Sequence, residues 1–203
     1  ETIKVLKKQI SLFLFLLISF LFAVKYGSRI TSSYILLASI ISAFYLFIWK
    51  KRFVFGRFHS KTIYILLAFF TLLFSIVFYK ITPESLNVDR WSVITSFWDN
   101  YFNNEYVYAA KSHKGNPPGP MPFYYIIALP FCFIGELGFL SIMGSLVFLL
   151  ILKYLKSPNY LKVTTILLIL SSTFYLWEVT CRSNVFLNAS LIVFSIVYFF
   201  KTM

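Results

Sequence analysis

The chain has 203 residues, of which 59% are hydrophobic and only 13% charged, with a mean hydropathy of +0.78 and a formal charge of +12 at pH 7. A water-soluble domain carries about a quarter of its residues as Asp, Glu, Lys and Arg, so this chain cannot cover a water-facing surface, and a soluble fold, a disordered chain and a disulfide scaffold are excluded. Its cations stand between apolar runs rather than in one patch, which excludes a nucleic-acid module and leaves an all-α, polytopic helical membrane protein.

Six apolar runs nearly free of charge span 9–26, 33–49, 62–79, 137–152, 163–177 and 185–200. Each has 15 to 18 residues, near the short limit for crossing about 30 Å of hydrocarbon, and flanking Lys and Tyr side chains can snorkel to extend the reach. Lysines precede the first run but no small-residue cleavage site follows it, so it reads as a retained span. The regions expected are 1–79 with three spans, 80–136 as one long outer loop, and 137–203 with three further spans. The chain starts at Glu1 rather than Met and ends at Met203 just past an apolar run, which suggests a portion of a longer protein.

The outer loop opens with Asp89-Arg90-Trp91. Over Ser92–Phe102 the apolar residues Val93, Ile94, Phe97, Trp98, Tyr101 and Phe102 recur at a spacing of three and four, which predicts an amphipathic helix on the membrane surface. Lys111-Ser112-His113-Lys114-Gly115-Asn116 then leads into Pro117, Pro118, Pro120 and Pro122, a run that resists helix and stiffens the chain. Met121–Ile134 is apolar but short and contains Pro130; it suits a re-entrant or interfacial helix that does not cross. With the N-terminus inside and 121–134 not crossing, twelve of the 19 Lys and Arg residues fall inside, and six of the seven acids fall outside. If 121–134 crosses, the cations split nine to ten and the bias disappears.

Chemistry-bearing residues therefore gather on the outer side: Asp89 and Arg90, then Lys111, His113, Lys114 and Asn116, then Glu178, Arg182 and Asn184 after Trp177. Cations pair with phosphate oxygens and a carboxylate can take a proton from an attacking hydroxyl. Plainer readings stand beside these. Asp89 can cap the surface helix, Arg90 can anchor at head groups, Lys111, His113 and Lys114 can form a solvated basic face, and Glu178 and Arg182 can form an i, i+4 helical ion pair.

An acid after a span, a surface helix, the turn Gly119-Pro120-Met121-Pro122-Phe123-Tyr124-Tyr125 entering a short apolar helix, Gly135-Glu136 before the next span, and a span ending in Trp-Glu-x-x-x-Arg-Ser-Asn together resemble the N-terminal module of GT-C integral-membrane glycosyltransferases, over roughly 87–200. The resemblance implies an enzyme that moves a sugar from a polyprenyl-phosphate donor to an extracytoplasmic acceptor, in a bacterial cytoplasmic membrane with the N-terminus inside. It implies that Asp89 is the catalytic base or helps bind a metal, and that Glu178, Arg182 and Asn184 lie near the donor phosphate. A divalent cation enters as cofactor only through this resemblance. Family members have more than six spans, so the resemblance also implies a chain that continues. A transporter or flippase of an anionic or lipid-linked substrate, and a non-catalytic assembly subunit that docks through the aromatic loop, are the competing readings.

Overall fold

A computed structural model describes residues 2–28, 31–57, 61–86, 88–119 and 121–202; the side chains of 2–8 and of Gly56 are outside the description. Glu1, Arg29, Asn87, Pro120 and Met203, which entered the charge count, the proline run or the bounds of the resemblance, lie outside the described residues.

Among the described residues every regular element is helical: α1 (Thr2–Gly27), α2 (Tyr34–Lys50), α3 (Thr62–Lys80), α4 (Arg90–Phe102), α5 (Pro122–Ile134), α6 (Phe139–Tyr154), α7 (Asn159–Ser171), α8 (Thr173–Thr180) and α9 (Val185–Thr202). The expected surface helix is α4. The expected short apolar helix is α5, whose first residue, Pro122, is tolerated because an N-terminal N–H has no helical partner to lose. The proline run is therefore non-helical at 117–119 and helical at its last member.

Among the described residues three helical segments are long and apolar enough to cross a membrane, Gln9–Gly27, Thr62–Lys80 and Val185–Thr202; the count becomes four if the broken pair α7–α8 is one span. This is fewer than the six expected, because α2 and α6 are apolar but short, at 17 and 16 residues, and the run 163–177 is interrupted. The interruption falls at Ser172, which takes an extended backbone. Only 17% of the residues in each long segment are buried inside the protein. Many of their remaining apolar side chains, among them Phe13, Phe69, Leu72 and Ile192, are exposed, as suits a hydrocarbon environment.

The chain divides into two compact units. The first, Glu1–Thr62 with Pro158–Phe174, is built on Tyr45, Ile48 and Leu168, with Phe15, Leu16, Ile41, Trp49 and Phe55 packed around them. Tyr45 resolves the break at Ser172: its hydroxyl donates to the Ser171 carbonyl at 2.8 Å and accepts the Thr173 N–H at 3.2 Å. Backbone groups freed by the break would otherwise be unpaired in an apolar interior.

The second unit, Ile63–Ser157 with Tyr175–Met203, contains the whole of the segment 80–136 expected as the long loop. Ile94, Phe97 and Trp98 of α4 pack on Tyr125 and Ala128 of α5 and on Leu137, Leu140 and Leu187. The Phe97 and Tyr125 rings stack with centroids 4.0 Å apart, and Trp98 Nε1 donates to the Tyr125 carbonyl at 3.0 Å. Helices α6 and α9 meet through small residues. A Cβ at Gly144 would stand 3.0 Å from the Leu187 backbone and 2.7 Å from the Phe186 ring, a close approach that membrane helices use where packing replaces the hydrophobic effect. Ser145 Oγ donates to the Tyr175 hydroxyl and Ser141 Oγ to the Ser183 carbonyl, each at 2.8 Å.

Candidate functional site

Asp89 stands at the N-cap position of α4, yet its side chain makes no capping hydrogen bond. Its Oδ2 reaches across 23 and 27 residues instead, accepting the Ser112 hydroxyl at 2.8 Å and the Asn116 side-chain N–H at 2.6 Å. The segment it grips is a tight turn: Gly115 N–H donates to the Ser112 carbonyl and Ser112 N–H to the Asn116 carbonyl. Gly115, at φ +81°, provides the left-handed conformation that the turn requires. Burial opposes ionisation of the Asp89 carboxyl, but the bonds from Asn116 and Ser112, helped by the nearby His113, outweigh it and hold the group below the ordinary carboxylate range.

The turn carries the expected basic residues with it. Lys111, His113, Lys114 and Asn116 are all exposed, while Ser112 is buried beneath them. Buried Ser92, one turn into α4, lies 2.7 Å from His113 Nδ1 and accepts the His113 backbone N–H at 3.3 Å. The His113 ring stacks on Trp91, with centroids 5.5 Å apart and an interplanar angle of 23°. Asp89, His113, Asn116 and the bases of both lysines thus form one assembly at the start of α4.

Arg90, with its side chain 39% exposed, is held by two partners within the protein. Its Nη1 pairs with Glu178 Oε1 at 2.6 Å and donates to Ser183 Oγ at 2.8 Å. Glu178 and Asn184 are buried, and the Asn184 side chain hydrogen-bonds the Tyr124 hydroxyl. Glu178 Oε2 and Asn184 Oδ1 have no hydrogen-bond partner among the described residues.

Arg182 does not pair with Glu178 as an i, i+4 helical pair. Helix α8 ends at Thr180, and Arg182 takes φ +51°, so its side chain leaves the helical register. Its Nε donates to Glu136 Oε1 at 3.2 Å, and its terminal nitrogens donate to the carbonyls of Thr180, Phe78 and Ile81 at 3.0, 3.1 and 2.7 Å. Only 2% exposed, this guanidinium is committed to the protein and offers a phosphate little. The outer-loop residues expected near the donor phosphate therefore separate: Glu178 and Asn184 share an interior cluster with Arg90, whereas Arg182 ties the end of α3 to the segment after α5.

Ser92, Ser112, Ser183 and Glu136 carry much of this network without standing out as site residues in the sequence. A serine carries no charge or period that marks it; the one usable signal was position, Ser112 within the Lys-Ser-His-Lys run and Glu136 in the Gly-Glu pair.

Two concavities lie in the same unit, the first of them reaching the assembly at Trp91. One, of about 330 Å³, is lined by Phe78, Thr82, Glu84, Trp91, Thr95, Cys132, Glu136 and Arg182 among others. The second, of about 560 Å³, is an aromatic groove between α4 and α5, lined by Phe97, Trp98, Tyr101, Phe102, Tyr108, Ile126 and Phe133 among others. Among the described residues no three His, Cys, Asp or Glu side chains gather where a metal ion could be held. No family model matches this chain, and neither a curated protein nor a solved structure matches it.

Proposed function

We propose that this protein is a membrane-embedded glycosyltransferase that moves a sugar from a polyprenyl-phosphate donor to an acceptor on the outer face of a bacterial cytoplasmic membrane. The observation that supports this reading is the Asp89 assembly, in which a carboxylate held as an anion at the start of α4 grips a turn that also carries Lys111, His113 and Lys114. In this role Asp89 orients the attacking hydroxyl, and Lys111 and Lys114, exposed on the gripped turn, meet the donor phosphate. The aromatic groove suits the hydrocarbon of the donor.

The reading takes six crossings, with the N-terminus cytoplasmic: α1, α2, α3, α6, the broken pair α7–α8, and α9, with α5 dipping into the outer leaflet. Helices α2 and α6 rise about 24–26 Å, and lysines stand at or next to the C-terminal end of each, so snorkelling closes the gap. The test is transfer from polyprenyl-phosphate-linked sugars by the protein in vesicles. Asp89→Asn is expected to abolish transfer while the protein still inserts at normal levels; undiminished transfer by that variant would refute the assignment.

The aromatic groove also supports a second reading, a non-catalytic assembly subunit that seats a partner's apolar helix there. Photo-crosslinking from Phe102 separates the two, since the transferase reading expects lipid adducts and the subunit reading a protein adduct.

A further inference from the structure

We propose that His113 is the residue that takes the proton from the attacking hydroxyl, anchored for that task by Ser92 and Trp91. The assignment rests on the transferase reading for its chemistry and on hydrogen counting for its geometry. A serine hydroxyl has a single hydrogen. Ser92 Oγ lies 3.0 Å from the Asp89 carbonyl oxygen, which can only accept. The same Oγ accepts the His113 backbone N–H at 3.3 Å. The remaining contact, 2.7 Å to His113 Nδ1, must then draw its hydrogen from the ring. All three contacts carry a hydrogen only when Nδ1 is protonated, so the neutral imidazole keeps its lone pair on Nε2.

The surroundings suit a ring that gains charge. Trp91 covers one face of the imidazole, yet His113 remains exposed. The charged groups around it are Asp89 at the start of α4, Arg90 next to it, whose guanidinium is taken up by Glu178, and Lys111 and Lys114 on the ring's own turn. Asp89 supplies the opposite charge that an imidazolium needs, and two hydrogen bonds already hold it as an anion. A carboxylate held below its ordinary range is a poor proton acceptor, whereas a ring protonated at Nδ1 offers a lone pair on Nε2. In the reaction the acceptor oxygen bonds to the sugar's anomeric carbon as the bond from that carbon to the phosphate oxygen breaks. The hydroxyl proton passes to Nε2, and the bonding pair leaves with the polyprenyl phosphate.

His59 is the other histidine of the chain, so His59→Gln leaves His113 as a single reporter for nitrogen-15 and carbon-13 NMR in nanodiscs. The expected result is a neutral tautomer protonated at Nδ1, which Ser92→Ala converts to a mixture. In transfer assays His113→Gln is expected to lose on the order of 100-fold or more and to flatten the pH profile. A neutral ring protonated at Nε2, or a tautomer indifferent to Ser92→Ala, overturns the anchoring. Transfer by His113→Gln at the full rate overturns the proton-accepting role and leaves the transferase reading standing. Absence of transfer by the unaltered protein overturns both, whatever the NMR shows.

Discussion

Arg182 and Asp89 occupy opposite ends of a scale. Both are ionised, both lie in the second unit, and both hold together segments distant in sequence. Arg182 is buried and spends its donors on Glu136 and three backbone carbonyls. Asp89 is only half-buried, places both of its side-chain bonds on Oδ2, and stands among exposed cations. A charge whose hydrogen-bonding capacity is consumed inside the protein is a fastener, whereas one that keeps capacity at a surface is available to a ligand. Exposure and partner count separate the two, which their neighbours in the sequence do not.

The largest effect is expected where the fastener is removed. Arg182→Ala leaves the carbonyls of Phe78, Ile81 and Thr180 without this donor and Glu136 with only the Gly138 N–H, and should cost about 3–5 kcal/mol, read as a lower midpoint in thermal unfolding of the nanodisc-embedded protein. Arg182→Lys should rescue little of it, because an ammonium cannot reproduce the planar fork. Glu136→Gln is milder, about 1–3 kcal/mol, since Arg182 keeps its carbonyls and Glu136 is partly solvated. A loss equal to that of Arg182→Ala would mean that the ion pair, and not the carbonyl set, holds the region.

At the other end of the scale, stability moves little and local order moves more. Asp89→Asn should cost about 1 kcal/mol or less while amide exchange speeds up across 112–116. Because the folded Asp89 carboxyl is held below its ordinary value, its contribution is present at neutral pH. It is lost only as pH falls from the ordinary carboxylate value, about 3.9, through the lowered one. Exchange at 112–116 should rise over that acidic interval in the native protein and show no such step in Asp89→Asn. The smallest structural effect belongs to Lys111→Ser with Lys114→Ser, within about 0.5 kcal/mol of the parent in stability. Retention of polyprenyl phosphate should nevertheless fall, together with its salt dependence. Unchanged retention would remove these lysines from the phosphate site.

The sequence carried the helical class, a helix over 92–102 and the short apolar helix plainly, because each is a matter of apolar spacing or length: Ile94, Phe97 and Trp98 face the core as their spacing requires. The count of long spans was less legible. Ser172 belongs to an uncharged run, and its extended backbone depends on Tyr45, more than a hundred residues earlier, taking up the freed groups. At the site, the gathering of Asp89 with the 111–116 run followed from topology, but the partners did not. A spacing of four suggested Glu178 with Arg182, whereas the end of α8 and a positive φ sent each to a different segment. Local periodicity holds only while the helix lasts.

The ring stack of Phe97 on Tyr125, with the Trp98 bond to the Tyr125 carbonyl, leaves α4 little freedom to move apart from α5. Helix α5 has only 13 residues, a rise of about 20 Å, too short to reach both faces of about 30 Å of hydrocarbon. Under the proposed placement of α5 in the outer leaflet, changing acyl length should displace Asp89 relative to the water boundary, so that membrane thickness acts as a dial on the proposed transfer.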